Sequence, residues 1–308
     1  MKRVLLLAVI LLALAGSLTA QEPSDLERDG LRGKVKSATV TFYKAEELFG
    51  EWYLGDILEI DEYEYNLKGD YTSVHMRMFH SQKSTLDVTL HYQYDENYNL
   101  PKEVRVYDQA GTLKEKILTT YSTQGKVEER YTNGGGTYIK TVTTYSDQCE
   151  MHAAYNRDGS LESKTLITYD YQGKAEEGYK GDGSSAYKEF STFDDKGNTI
   201  QVIRYGADGD LIYKKVFDYN NKGNKTREAF YDDKGSLRNE TRMKYDEMGN
   251  EIENVYYSGA SIVSQYYYSY EYDEKQNWTK RIEGKKVSKF GKTYLEPTEI
   301  VICEITYY

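Results

Sequence analysis

Residues 193–224 read FDDKGNTIQVIRYGADGDLIYKKVFDYNNKGN and contain one full unit of a repeat. In this stretch Phe193, Tyr205 and Tyr219 each come just before a short run rich in Gly, Asp and Asn. The same arrangement recurs along the chain at fourteen aromatic anchors: Tyr107, Tyr121, Tyr131, Tyr145, Tyr155, Tyr169, Tyr179, Phe193, Tyr205, Tyr219, Tyr231, Tyr245, Tyr257 and Tyr272. Steps of 14 residues alternate with steps of 10 and later 12, so the unit is 24 and then 26 residues long. A fixed period of this size indicates a repeat architecture.

The runs that follow the anchors have the composition of tight turns. One class resembles Phe193-Asp-Asp-Lys-Gly-Asn198, and the other resembles Tyr205-Gly-Ala-Asp-Gly-Asp-Leu211. Asp or Asn at a turn start accepts a bond from a backbone N–H two residues later. Glycine near the end supplies the positive φ of a type I turn followed by a bulge. Both classes therefore predict short hairpin loops.

The segments between the turns have the composition and alternation of strands. They are rich in Thr, Tyr, Ile, Val and Phe, and Leu211, Tyr213, Phe217 and Tyr219 share one parity. Alternate side chains face opposite sides of a sheet, so one face is semi-apolar and the other is charged. The fold class predicted is all-β: an antiparallel meander of repeated hairpins in 24–26-residue units. We expect an extended, curved or spiral single sheet, anchors in an aromatic ladder, and self-association through exposed edges.

The chain divides into three segments. Residues 1–20 are predicted to be a signal peptide, with a charged start, an apolar stretch of 12 residues and small residues before Ala20. Cleavage after Ser17 and an uncleaved membrane anchor are the alternatives. Residues 21–31 form a short leader, and residues 32–308 form the repeat domain, in which Lys44–Glu51 is interpreted as an insert with one helical turn. We expect an exported bacterial protein located in the periplasm, at the outer cell surface or in the medium.

The charge balance argues against nucleic acid as a partner. The whole chain carries −10, and loss of the signal with its two basic residues takes the charge to −12. Non-specific nucleic-acid binding depends on phosphate neutralisation by positive charge. One basic cluster stands out: Lys280, Arg281, Lys285, Lys286, Lys289 and Lys292. It is interpreted either as a solvated terminal loop or as a docking patch for an anionic partner.

The motif Tyr245-Asp-Glu-Met-Gly-Asn250 resembles the YD repeat of the rearrangement hot spot (RHS) family. Tyr231-Asp-Asp-Lys-Gly235 and Tyr169-Asp170 are similar, and a weaker second resemblance is to MORN-type repeats. The first resemblance implies strand–turn–strand units that coil into a curved or spiral sheet. Large members form shells around toxin domains, and others are described as sugar-binding or surface proteins. This chain is more similar to the small exported YD-like proteins of Gram-negative bacteria.

Few residues suggest chemistry. His75, His80 and His91 lie in adjacent predicted strands, but without a metal-ligand spacing they are interpreted as surface residues. Cys149 and His152 are three positions apart and give no nucleophile–base geometry, and Cys149 and Cys303 are expected to be unpaired thiols. We therefore predict no catalytic residue, no metal, no cofactor and no enzymatic activity.

Aromatic and basic residues near the C-terminus are the candidate binding site. The residues are Tyr266, Tyr268, Tyr270, Tyr272, Trp278, Lys285, Lys286 and Lys289, and a smaller aromatic pair is Trp52 and Tyr53. Tyr and Trp are favoured at interfaces, although the stripe also fits the terminal share of the aromatic ladder. The predicted function is a non-enzymatic exported β-repeat scaffold that binds an envelope or extracellular protein. The alternative is a carbohydrate-binding module that uses the Tyr-rich face, and a hydrolase is a remote third possibility.

Overall fold

The computed structural model describes residues 23–49, 51–80, 83–133, 138–146, 148–170, 173–289 and 291–308, so the predicted signal peptide lies outside it. Within those ranges the chain forms one short helix and twenty strands. The bounds are α1 Asp25–Arg28, β1 Val35–Leu48, β2 Glu51–Tyr65, β3 Tyr71–His80, β4 Lys83–Tyr94, β5 Pro101–Asp108, β6 Leu113–Ser122, β7 Gly125–Thr132, β8 Tyr138–Ser146, β9 Cys149–Tyr155, β10 Leu161–Asp170, β11 Gly173–Lys180, β12 Ser185–Phe193, β13 Thr199–Gly206, β14 Leu211–Tyr219, β15 Lys225–Tyr231, β16 Leu237–Tyr245, β17 Glu251–Ser258, β18 Ser261–Tyr272, β19 Trp278–Lys289 and β20 Lys292–Tyr307. In the described ranges no helix has the length and apolar character that a bilayer crossing requires.

Every strand pairs antiparallel with the next, which confirms the predicted all-β meander. The prediction of an open, extended or spiral sheet is wrong, because β20 returns to pair with β1. That pairing runs from Val35 opposite Tyr307 to Lys44 opposite Glu299. The sheet therefore closes into a twenty-stranded barrel, and β1 and β20 are not edges over this length.

Closure follows from the stagger that accumulates between neighbouring strands. Tracing paired residues once around the ring returns to β1 displaced by roughly 22 positions, which corresponds to a strand tilt of about 40°. At the usual strand spacing, twenty strands at that tilt make a round barrel on the order of 40 Å across. Among the described strands, extensive packing occurs only between sheet neighbours, so the wall is one layer thick around a lumen.

The predicted turn chemistry is confirmed. In the turn after β12, Asp194 N–H donates to Asn198 O at 2.9 Å, and Gly197 N–H donates to Asp194 O at 3.0 Å. The Asp194 carboxylate accepts from Lys196 N–H at 2.9 Å, and Gly197 has a φ of 84°. The second turn class makes the same pair of backbone bonds between Gly206, Gly209 and Asp210. Both classes are thus type I turns closed by a residue in the left-handed region.

The anchor tyrosines do not form one ladder. Each anchor ends its strand, and neighbouring strands run in opposite directions, so successive anchors lie at opposite ends of the barrel. We call the end where odd-numbered strands finish the upper rim and the other end the lower rim. Tyr205 ends β13 at the upper rim, whereas Tyr219 ends β14 at the lower rim.

Lower-rim anchors tie neighbouring strands together through their hydroxyl groups. Tyr121 donates to Pro101 O at 2.8 Å, Tyr219 donates to Thr199 O at 2.8 Å, and Tyr245 donates to Lys225 O. In each case the acceptor is the first residue of the preceding, odd-numbered strand, twenty positions back in the chain. Each bond is expected to contribute about 1 kcal/mol, and its recurrence gives a structural reason for the repeat.

On strands β3 to β6 one face of the sheet is more buried than the other. Val74, Val88, Leu90, Val104 and Ile117 form an apolar cluster on a single face of β3 to β6. Side chains crowd on the concave side of a closed sheet, so we call this face the inner face and the opposite face the outer face. Alternate residues on the outer face of β4, such as Thr85, His91 and Gln93, are exposed.

The N-terminal segment lies against the inner face at the lower rim. Ser24 and Glu27 form a capping box at α1. Asp25 accepts from Tyr71 N–H at 2.8 Å and from Tyr94 Oη at 3.2 Å. The predicted leader of residues 21–31 therefore contains a helix that is held by side chains of the barrel.

Two hairpins extend beyond the upper rim. Pairing of β1 with β20 stops at Lys44 and Glu299, and pairing of β2 with β3 stops at Glu59 and Met78. Residues 45–58 continue as a two-stranded extension that we call the β1–β2 arm, and residues 285–298 form the β19–β20 arm. The interpretation of Lys44–Glu51 as an insert with a helical turn is therefore wrong. Bulges at Tyr43 and Ala45 mark the base of the first arm.

Replacing Val301 by Ala is expected to destabilise the barrel by about 2 kcal/mol, because its fully buried side chain packs at the closing pair of strands. Val263, which is 55% exposed on β18, provides the matched control, and Val263→Ala is expected to cost less than 0.5 kcal/mol, approximately the level of a surface change. Urea unfolding followed by circular dichroism measures both. Equal losses would contradict the assignment of Val301 to a closed seam.

Candidate functional site

The β1–β2 arm carries the largest set of exposed apolar side chains in one stretch of the described chain. They are Leu48 (53% exposed), Phe49 (105%), Tyr53 (45%), Leu54 (49%) and Ile57 (38%). Trp52, which with Tyr53 formed the smaller predicted aromatic pair, pairs with Glu47 in the same arm. Contiguous exposed apolar side chains are typical of interaction sites on soluble proteins.

Phe49 occupies an unfavourable backbone conformation at the tip of this arm. Its φ is 55°, in the left-handed region that glycine and asparagine tolerate and bulky residues rarely adopt. The ring is nevertheless fully exposed, so no packing in the described structure compensates for the cost. A large residue that is both strained and exposed indicates a role outside the fold of the single chain.

The predicted basic cluster lies on strands β19 and β20 and not in a terminal loop. Lys280 pairs with Glu271 at 2.8 Å, and the Arg281 guanidinium contacts Glu299 at 3.2 Å. Lys285 and Lys286 are exposed on the β19–β20 arm. Lys289 and Lys292 close the same hairpin opposite one another.

The predicted tyrosine stripe faces the lumen. Tyr266 and Tyr268 are half-buried on the inner face of β18, where they pair with Lys285 and Glu283. The Lys285 ammonium lies 4.9 Å from the centre of the Tyr266 ring, whereas Lys286 lies over Tyr267 on the outer face at 4.3 Å. The stripe and the two lysines are therefore brought together, as the candidate site requires.

The lower end of the stripe is occupied by structural bonds. Tyr270 donates its hydroxyl to Glu251 O at 2.9 Å, and Tyr272 donates to Asp246 at 2.7 Å. Trp278 packs against the cluster formed around Val35 and Cys303. These three predicted binding residues stabilise the lower rim, far along the strand from the arms.

The histidines are held in separate polar contacts. His75 lies on the outer face between Glu62, at 2.9 Å, and Asp87, at 2.8 Å. His91 packs edge-on against Tyr107, with ring centres 5.5 Å apart. His80, the third histidine of this group, ends β3 at the upper rim and is exposed. In the described ranges no three His, Cys, Asp or Glu side chains are arranged to hold a metal ion.

Cys149 and His152 lie on opposite faces of β9. The His152 ring lies between Thr143, at 3.0 Å, and the buried Glu150, at 2.8 Å. Thr143 is 1% exposed and the Glu150 side chain 4%, whereas the His152 side chain keeps 22% exposure. Cys149 and Cys303 are free thiols, as expected from their distant positions in the repeat.

Asp61 is the most unusual ionisable group of the inner face. It lies between Val40 on β1 and Met76 on β3, is 8% exposed, and its Oδ1 atom finds no hydrogen-bond partner among the described residues. Burial, with a smaller contribution from the negative charge of Glu59, raises the pKa of Asp61 to about 7, and a hydrogen bond from Tyr63 acts in the opposite direction.

Of the β1–β2 arm, only Trp52 and Tyr53 are identified from the sequence, as the smaller aromatic pair, and Lys44–Glu51 is interpreted as an insert. The exposed residues Leu48, Phe49, Leu54 and Ile57 are not identified in this way, although they are apolar residues in an otherwise acidic stretch.

The solved structures that are similar to this chain include three with low TM-scores and low identity. A porin-like protein from Bacteroides uniformis has a TM-score of 0.38 at 10% identity, over 88% of this chain and 98% of that one. A porin-like protein from Bacteroides vulgatus has a TM-score of 0.22 at 13% identity, over 89% of this chain and 98% of that one. The TcdB2–TccC3–Cdc42 structure has a TM-score of 0.24 at 12% identity over 79% of this chain, and only 16% of that much longer chain is matched.

No protein-family model matches the chain, and no curated protein matches it. The resemblance to RHS and MORN repeats therefore stays a prediction. The strand pairing of the chain itself defines the fold.

Asp61 is expected to make stability depend on pH. Its pKa of about 7 in the folded protein exceeds the value of roughly 4 in an unfolded chain, so the folded state binds the proton more tightly. This stabilisation is complete below pH 4 and is lost as the pH rises through 7. Between pH 4 and 8 the free energy of unfolding of the wild-type protein should fall by an amount on the order of 1–4 kcal/mol, measured by urea unfolding. Asp61→Asn should not show this fall.

The matched control is Asp195→Asn, which lies on an exposed turn and should leave the pH profile unchanged. If wild type and Asp61→Asn show parallel profiles, the carboxyl group is not buried as described.

Proposed function

We propose that this protein is a non-enzymatic, ring-shaped scaffold of the bacterial envelope or the extracellular space, which stands in water and docks a protein partner through its upper-rim arms. The observation that carries the proposal is the pair of arms, whose apolar side chains project beyond the wall of the barrel. Export is supported by the signal-like sequence of residues 1–20.

The charges of the outer face support an aqueous location. A barrel that spans a bilayer carries an outward apolar band about 25 Å tall, and a charge in that band costs roughly 2–4 kcal/mol at the bilayer midplane. Here most strands place a charged residue on the outer face. These residues are Glu62, Arg77, Asp87, Arg105, Lys116, Glu129, Lys140, Lys164, Glu177, Lys188, Lys214, Arg227, Glu240, Glu253, Lys280 and Glu304.

Cross-strand ion pairs stabilise this charged surface in water. Lys188 contacts Glu177 at 2.8 Å, and Arg227 contacts Glu240 at 2.9 Å. Such pairs are weak individually, and they fit a solvated wall in which opposite charges face each other across strands.

Docking through the arms is supported by their shape and composition. A two-stranded extension with free backbone edges presents unpaired N–H and C=O groups beside apolar side chains. Phe49 and Leu54 are candidate anchors, because interface energy concentrates in a few large side chains. The aromatic stripe is a weaker site for a protein, since Tyr266 and Tyr268 face the lumen.

The triple change Leu48→Ser, Phe49→Gly and Leu54→Ser should abolish partner binding without loss of folding, because all three side chains are exposed. Residues 21–308 would be immobilised and incubated with envelope extract and growth medium of the source bacterium, and the bound protein identified after cross-linking. We expect retention of one protein to fall at least tenfold with the triple change.

Ile212→Ser is the control, because Ile212 is 48% exposed on β14, away from the arms. It should bind as wild type does. Retention of polysaccharide that is lost on Tyr268→Ala would instead favour the carbohydrate-binding alternative. Equal protein retention by all variants would contradict docking through the β1–β2 arm.

A further inference from the structure

The two arms carry opposite charges. Residues 45–58 contain Glu46, Glu47, Glu51 and Asp56 and no basic residue, which gives −4. Residues 285–298 contain Lys285, Lys286, Lys289 and Lys292 with Glu296, which gives +3. In a chain that is acidic overall, this separation of charge sets the β19–β20 arm apart.

The arms stand side by side on the same rim but are not paired as strands. The last residues paired between β1 and β20 are Lys44 and Glu299. Beyond them the β1–β2 arm pairs only within itself, and the β19–β20 arm pairs within itself except at its base, where Lys285 pairs with Tyr266 of β18. The β1 side of one arm and the β20 side of the other are therefore strand edges without a partner strand in the described chain. Unpaired edges favour addition of a strand from another molecule.

Both arms also expose apolar side chains that a partner would cover. On the β19–β20 arm Tyr294 is 49% exposed and Leu295 is 50% exposed. On the β1–β2 arm the exposed residues are Leu48, Phe49 and Leu54. Each arm thus combines apolar side chains with a net charge of one sign, and the two net charges are complementary.

We infer that the partner of the arms is a second copy of this chain, with the acidic β1–β2 arm of each copy lying against the basic β19–β20 arm of the other. This inference rests on the proposed docking function and names its partner. Because the arms are neighbours on one rim, a two-fold axis between two facing rims forms both contacts at once. Such a contact is self-complementary and closes as a dimer, which prevents growth into a fibre.

Charge reversal on each arm tests the pairing directly. Glu47→Lys, Glu51→Lys and Asp56→Lys together change the β1–β2 arm from −4 to +2, so both arms of that copy are basic. Lys285→Glu with Lys286→Glu changes the β19–β20 arm from +3 to −1, so both arms of that copy are acidic. All five side chains are exposed. Sedimentation velocity on purified residues 21–308 should show a dimer for wild type and a monomer for each reversed protein. An equimolar mixture of the two reversed proteins should restore the dimer, because both contacts then join opposite charges.

A control and a salt series complete the test. Asp195→Lys with Asp233→Lys makes the net charge more positive by 4 on exposed turns away from the arms, and this protein should dimerise as wild type does. Raising the salt from 0.05 to 1 M should weaken the wild-type dimer about tenfold or more, since exposed charges are screened over a few ångströms at high salt. Circular dichroism of each variant checks folding.

A wild-type monomer at all concentrations would overturn the inference, and so would a mixture that stays monomeric. If the purified protein is monomeric while envelope extract yields another protein whose retention needs the β1–β2 arm, the inference fails and the proposed function stands. If neither association is found, both fail.

Discussion

The pairing of β1 with β20 is the contact on which the rest of the architecture depends. All other strand pairs join consecutive segments of the chain, whereas this pair joins residues 35–44 to residues 299–307. Closing so long a loop costs conformational entropy, but this cost grows only with the logarithm of the loop length. In return, the backbone N–H and C=O groups of two sheet edges become paired. Closure also creates the concave face on which the Val74–Ile117 cluster and the N-terminal helix pack.

The repeat predicted the elements well because strand and turn are local properties. The Asp194 turn and the Tyr219 strand end lie where the spacing places them. Closure was not predictable in the same way. Every hairpin unit has the same pattern in an open spiral and in a ring, and the difference lies in small staggers that add up over twenty strands. The composition predicts the bulge beside each turn, such as the one between Arg204 and Tyr205, but not the register of the paired strands from which the staggers add up.

The candidate site was predictable in composition but not in position. The aromatic and basic residues near the C-terminus do meet, since Lys285 lies over Tyr266. Sequence alternation correctly put Tyr267 on the other face of β18, but it did not indicate which face turns inward. The arms depend on where pairing stops, at Lys44 and Glu299, and this end point is set by both neighbours of each strand.

Away from the two buried apolar clusters, a wall one layer thick has no core between packed layers, and this constrains which residues it uses. Both faces of the wall contact water. Each side chain must therefore cover the apolar groups of its neighbours and also present a polar group to the solvent. Tyrosine meets both demands, which accounts for 33 tyrosines in 308 residues. Tyr121 and Tyr219 illustrate this double role, since each ring packs on the wall while its hydroxyl donates a hydrogen bond to an adjacent strand. In the β1–β2 arm, by contrast, Leu48, Phe49 and Leu54 expose apolar groups with no polar end. Tyrosine is used throughout the solvated wall, whereas leucine and phenylalanine are exposed at one projecting tip. The composition of that tip is therefore typical of a surface that a partner covers.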